Sequence, residues 1–112
     1  MSCSIASCPN RKTQGAHVKP KVTFSEREND RADNIIPLCP SHHDLFDDGL
    51  IGIDFEKNRL IGKMGSEPRI YQSSFNLSRI RKEYIDEKNN YCDYFIRLWL
   101  GKISGASYAK LP

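Results

Sequence analysis

The chain has 112 residues, 28% of them charged and 38% hydrophobic. That is one domain's length with a small core, and the balance excludes both a disordered segment and a membrane-embedded one. The net charge of +3 is unevenly spread: residues 1–49 hold six Lys/Arg against seven Asp/Glu, and residues 50–112 hold eleven against seven. Acidic groups beside histidines suit a cation, and a basic flank suits phosphates. The opening MSCSIASCPN has neither the basic nor the apolar region of a secretory signal, so a cytoplasmic setting is expected, with no membrane partner.

In chain order, residues 1–14 read as irregular, rich in Cys, Ser, Pro and Asn. Gly15 to Val18 reads as a short strand stopped by Lys19-Pro20, since proline cannot donate to a ladder. Ser25 to Asp33 is a polar excursion, a surface loop or one helical turn, and Asn34 to Cys39 reads as a short buried strand. Pro40-Ser41 begins a helix, His42 to Asp48 supplies its body and Gly49 ends it. Leu50 to Asp54 and Arg59 to Lys63 flank Phe55-Glu56-Lys57-Asn58 as a hairpin. Gly65 to Pro68 is a connection into helical pattern, with Asn76 as cap and Leu77, Ile80, Tyr84 and Ile85 at helical spacing. Tyr91, Cys92, Phe95, Leu98 and Trp99 continue it, as one long helix or as two broken near Asn89-Asn90. The residues after Gly101 read as a tail or linker.

Two short-spaced pairs stand out. Cys3 and Cys8 are separated by four residues, and Cys39 and His42 by two. Two such pairs joined by a long loop are the arrangement of a tetrahedral structural zinc site. Cys92 falls on the apolar helix face and reads as a buried thiol. His43 and Asp47, four residues apart on one helix face, make a two-point anchor for a divalent cation.

Ala-His-Val-Lys-Pro around His17, Asp-Asn-Ile-Ile-Pro-Leu-Cys around Asn34, and His-His-Asp-Leu-Phe-Asp-Asp-Gly-Leu-Ile from His42 resemble the HNH nucleases. The likeness is greatest to the branch written Ala-His-Ile-x-Pro, Asn, His-x-Leu-Phe-Asp-x-Gly, and it covers about Cys3 to Asp54. The resemblance implies an α+β fold. Residues 1–54 would form a zinc-stapled, treble-clef-like ββα-metal finger, and residues 55–112 a hairpin and helical extension within the same domain.

It also implies roles. His17 would be the general base, since a neutral imidazole suits that task at physiological pH. Asn34 would brace the loop that aims His17. His43 and Asp47 would hold one Mg²⁺-like ion, and Cys3, Cys8, Cys39 and His42 a structural Zn²⁺. Many relatives carry an acidic residue or histidine where this chain has Ala16, so Gln14, Asp44, Asp48 or water would complete the ion's sphere. Lys19, Lys21, Arg59, Lys63, Arg79, Arg81 and Lys82 are candidate phosphate contacts on DNA, expected to be double-stranded. Reading a long site would call for a homodimer. The alternatives are a non-catalytic treble-clef module that binds nucleic acid or protein, and the nuclease domain of a larger defence effector.

Overall fold

The computed structural model describes residues 2–19, 31–64, 67–105 and 108. Lys21 and most of the polar excursion Ser25–Asp33 lie outside them. Gln14–His17 (β1) and Ile35–Leu38 (β2) form an antiparallel pair, with Gln14 opposite Leu38, Gly15 opposite Pro37, Ala16 opposite Ile36 and His17 opposite Ile35. Side chains alternate between faces. Ala16, Ile36 and Leu38 therefore enter the core with Phe46, while Gly15, His17 and Ile35 share the outer face. The first strand lies one residue earlier than its sequence suggests, and Val18 is buried just beyond it.

The helix Pro40–Asp47 (α1) starts as expected, with proline in its first turn and the Cys39 sulfur accepting from the His42 amide at 3.5 Å. Gly49, at φ +75°, ends it where a side chain has no room: a Cβ there would lie 3.1 Å from the Tyr91 carbonyl oxygen and 3.3 Å from Cys92 Cα.

Ile51–Asp54 (β3), Arg59–Met64 (β4) and Glu67–Gln72 (β5) form an antiparallel sheet in that order. The expected hairpin is present but is only two thirds of it. β5 starts at Glu67, within the stretch read as a connection, because Pro68 lies on an edge strand that tolerates a missing donor. The N-terminal segment bonds both to the finger and to this sheet. Ser4 donates to the Pro37 carbonyl from both its amide (2.8 Å) and its hydroxyl (2.6 Å), and the Ala6 amide donates to the Gln72 carbonyl at 2.9 Å.

After a 3₁₀ turn, Leu77–Arg79, come Lys82–Tyr91 (α2) and Tyr94–Ser104 (α3). The chain therefore makes two helices, but the break falls at Cys92–Asp93, where the Asp93 carboxylate accepts from the Phe95 amide at 2.9 Å and caps α3. Asn89 is no breaker. It is fully buried and bonds the Ile53 backbone twice, at 2.9 and 2.8 Å. Asn76 caps the 3₁₀ turn rather than a helix, and Leu77 and Ile80 precede α2.

Lys88 lies on the buried face of α2. Its ammonium donates to the carbonyl of Phe46 and stands 3.9 Å from the centre of that ring. A cation at a helix C-terminus meets the negative end of the backbone dipole, so this lysine fastens the last turn of α1. Burial lowers the Lys88 pKa, while the Cys92, Asp47 and Asp48 charges oppose that shift.

Candidate active site and metal centre

Cys3, Cys8, Cys39 and His42 converge, with all four ligand atoms within 4.8 Å of one another. Tetrahedral zinc with bonds of about 2.3 Å to sulfur and 2.0–2.1 Å to nitrogen sets sulfurs about 3.8 Å apart and sulfur and nitrogen about 3.5 Å apart. The Cys8–Cys39 sulfurs are 3.9 Å apart, and His42 Nδ1 is 3.6 Å from Cys3 Sγ and 3.1 Å from Cys39 Sγ. The set can hold a metal ion and fits zinc. The Cys39 amide donates to Cys3 Sγ at 3.4 Å, a bond that favours thiolate. Burial pushes the Cys3 thiol up, with the neighbouring Cys39 and Cys8 adding to the rise. Ionising Cys3 is thus unfavourable until a cation compensates its charge. Burial, aided by Arg69, lowers His42, which keeps it the neutral imidazole a metal needs.

Asn34, fully buried in the 3₁₀ turn Ala32–Asn34, accepts from the Val18 amide with its backbone oxygen and from the Lys19 amide with Oδ1, both at 2.8 Å. One residue thus holds the two peptide groups that follow His17. On α1, His43 Nε2 is 3.2 Å from Asp47 Oδ2. Two adjacent ligands on an octahedral ion with bonds of about 2.1 Å stand about 3 Å apart, so this spacing suits a shared cation. His43 Nδ1 lies 2.8 Å from Gln14 Oε1. Gln14 is therefore engaged with the histidine, where it fixes ring orientation. That orienting role was not visible in the sequence.

The basic candidates divide. Arg59 forms a 2.8 Å pair with buried Asp54, a structural use. Lys63 sits beside Asp93 and over the Phe95 ring, and Lys82 pairs with Asp86 on α2. Lys19 and Arg81 flank the Tyr84 ring at 6.0 and 5.3 Å, and Arg79 lies 5.8 Å from the Phe75 ring centre. Arg31 and Arg81 also hold Asp33; the hydrogen bond from Arg31 is the main reason its carboxyl stays below the usual range. Cys92 is buried as expected, and its thiol is pushed up to about 12 by desolvation.

An antiparallel strand pair and helix, with a Cys3His tetrad that could hold a metal ion, are compatible with a zinc-binding ββα finger. Residues 3–54 match the family model described as HNH endonuclease. No curated protein and no solved structure matches the chain. The family match suggests nuclease activity in general terms. Among the described residues, no helix is long and apolar enough to cross a membrane.

Proposed function

We propose that the chain hydrolyses DNA phosphodiester bonds, with His17 as general base, a divalent cation held by His43 and Asp47, and zinc as the staple of the finger. The observation that supports this best is Asn34: its two oxygens hold the backbone directly after His17, in a finger whose helix presents a histidine and a carboxylate at ligand spacing. His17 takes a proton from water, the water oxygen attacks phosphorus, and the bond from phosphorus to the leaving oxygen breaks. Asn34 keeps the His17 strand end from moving during the transfer. Gln14 holds His43 by Nδ1, which leaves Nε2 facing Asp47. A cation there would offset charge on the phosphate and the leaving oxygen, contributing several kcal/mol. Lys19, Arg79 and Arg81 would meet the phosphate backbone.

The test is purified protein on supercoiled plasmid. Nicked or linear product that needs Mg²⁺ or Mn²⁺ and stops with EDTA is the expected outcome. Intact plasmid across all cations and salt concentrations tried would reject the proposal.

A further inference from the structure

We infer that the outer face of the β1–β2 pair carries a subsite for an unstacked nucleobase of the substrate strand, with Phe75 as its stacking platform. The inference deepens the nuclease reading and rests on it for the identity of the ligand. A hollow of about 300 Å³ is lined by Thr13, Gln14, Gly15, Ile35, Pro37 and Phe75. A second, of about 250 Å³, is lined by Ser2, Pro37, Ser74 and Phe75. The two share Pro37 and Phe75, so the ring stands between them. Ser73 holds it there, its hydroxyl accepting from the Phe75 amide at 3.1 Å and donating to the Phe75 carbonyl at 2.8 Å.

Position ties the hollow to the chemistry. Ile35 is the direct cross-strand neighbour of His17, and Gly15 is its neighbour two residues back on the same face. Residues two apart on a strand are about 6.6 Å apart, so whatever fills the hollow lies close to the phosphate that His17 would serve.

Charge selects the occupant. Among the described residues, no carboxylate lines either hollow. Arg79 lies against Phe75, and exposed Arg11 and Lys12 directly precede Thr13. An apolar floor with a cationic rim suits a base whose phosphates remain outside. A stacked, paired base has both faces covered and cannot enter, so the occupant must be unpaired or extruded. The substrate class that follows is single-stranded DNA, or duplex carrying an unpaired nucleotide beside the cut. Phe75 and Arg79 lie outside the family-matched residues 3–54, so the extension supplies this selectivity.

The test is fluorescence anisotropy at 0.1 M salt, with EDTA-free buffer and no divalent cation, on a labelled single strand, its perfect duplex, and the duplex with one unpaired base. Phe75→Leu keeps an apolar contact with the core and removes the ring; Arg79→Gln removes only charge. The wild type is expected to bind the single strand and the unpaired-base duplex more tightly than the perfect duplex. Phe75→Leu should reduce that affinity roughly 5- to 150-fold, the loss of one stacked base, without changing affinity for perfect duplex. Arg79→Gln should weaken all three. Zinc content and melting temperature of each variant confirm folding. Equal affinity for all three DNAs, or a Phe75→Leu variant that is folded and unchanged, overturns the inference while leaving plasmid cleavage untouched. A Phe75-dependent single-strand preference in a protein that cuts nothing supports the subsite and removes the nuclease mechanism.

Discussion

The two halves of this molecule are held together by different means. The finger, residues 3–47, brings together three thiols and an imidazole, and ionising Cys3 among them is unfavourable without a cation. The half built on β3–β5, α2 and α3 holds together without a ligand, by the buried Asn89–Ile53 hydrogen bonds, the Arg59–Asp54 pair and close packing of Ile96 and Leu100 of α3 over Gly52. One half is therefore conditional on a ligand, and the other on shape. A small domain with a limited core is the case in which a metal contributes most to folding.

The largest break in that contrast is removal of the metal. Structural zinc in small domains contributes roughly 10–16 kcal/mol of apparent binding energy. Cys39→Ser is expected to lose zinc by elemental analysis and to melt far below the wild type. A zinc-free wild type that melts normally would refute the staple.

Next comes the chemistry. His17→Ala should slow cleavage roughly 10²–10⁴-fold, the usual contribution of a positioned base. Zinc content and single-strand affinity should hold, because His17 lies outside the tetrad. A loss of zinc in that variant would place His17 among the metal ligands instead.

The shape-dependent half is probed by Gly52→Ala. Its Cβ would stand 2.7 Å from Leu100 Cδ1 and 2.9 Å from Ile96 Cγ2. Overpacking of this kind costs about 1–3 kcal/mol, seen as a drop in melting temperature of several degrees with zinc unchanged.

The smallest effect concerns pH. The Cys92 thiol is raised from 9.0 to about 12 on folding. Its contribution is complete below pH 9 and is lost as pH rises toward 12, because only the unfolded chain gains by ionising. Lys88 works in the opposite direction: its lowered value makes folding easier as pH approaches 10.5. Denaturant melts at pH 8 and pH 10 should show wild type losing more stability than Cys92→Ala, since Lys88 is common to both. In alkylation at neutral pH, chelation should expose three cysteines, and Cys92 should react only after unfolding.

The contrast also explains what the sequence disclosed. Metal ligands are specified by residue type and short spacing, so Cys3, Cys8, Cys39 and His42 were legible without a fold. So were the strand pair and the start of α1, fixed by local signals at Pro40 and Gly49. β5 was not, because Pro68 and an exposed Ile70 look like a loop until a partner strand is present. The helix break was misplaced because asparagines resemble punctuation, whereas buried Asn89 pairs with a distant strand. Gln14 was noticed as a ligand candidate, but its partner lies 29 residues away in sequence. Lys88 left a trace: a lysine three residues after Ile85 and four before Cys92, on an otherwise apolar stripe.

That lysine has a consequence for how the protein opens. Lys88 holds the Phe46 carbonyl, and the Asp93 amide donates to the Gly49 carbonyl at 2.8 Å. The final turn of α1, which carries Asp47, can fray only if the α2–α3 junction releases it. Amide exchange near Asp48 and Gly49 should therefore follow the slow opening of the C-terminal helices, not the faster breathing of a helix end, making these segments one cooperative unit. Cutting the chain after Asp54 would free the end of the helix that carries Asp47, the carboxylate proposed to hold the cation.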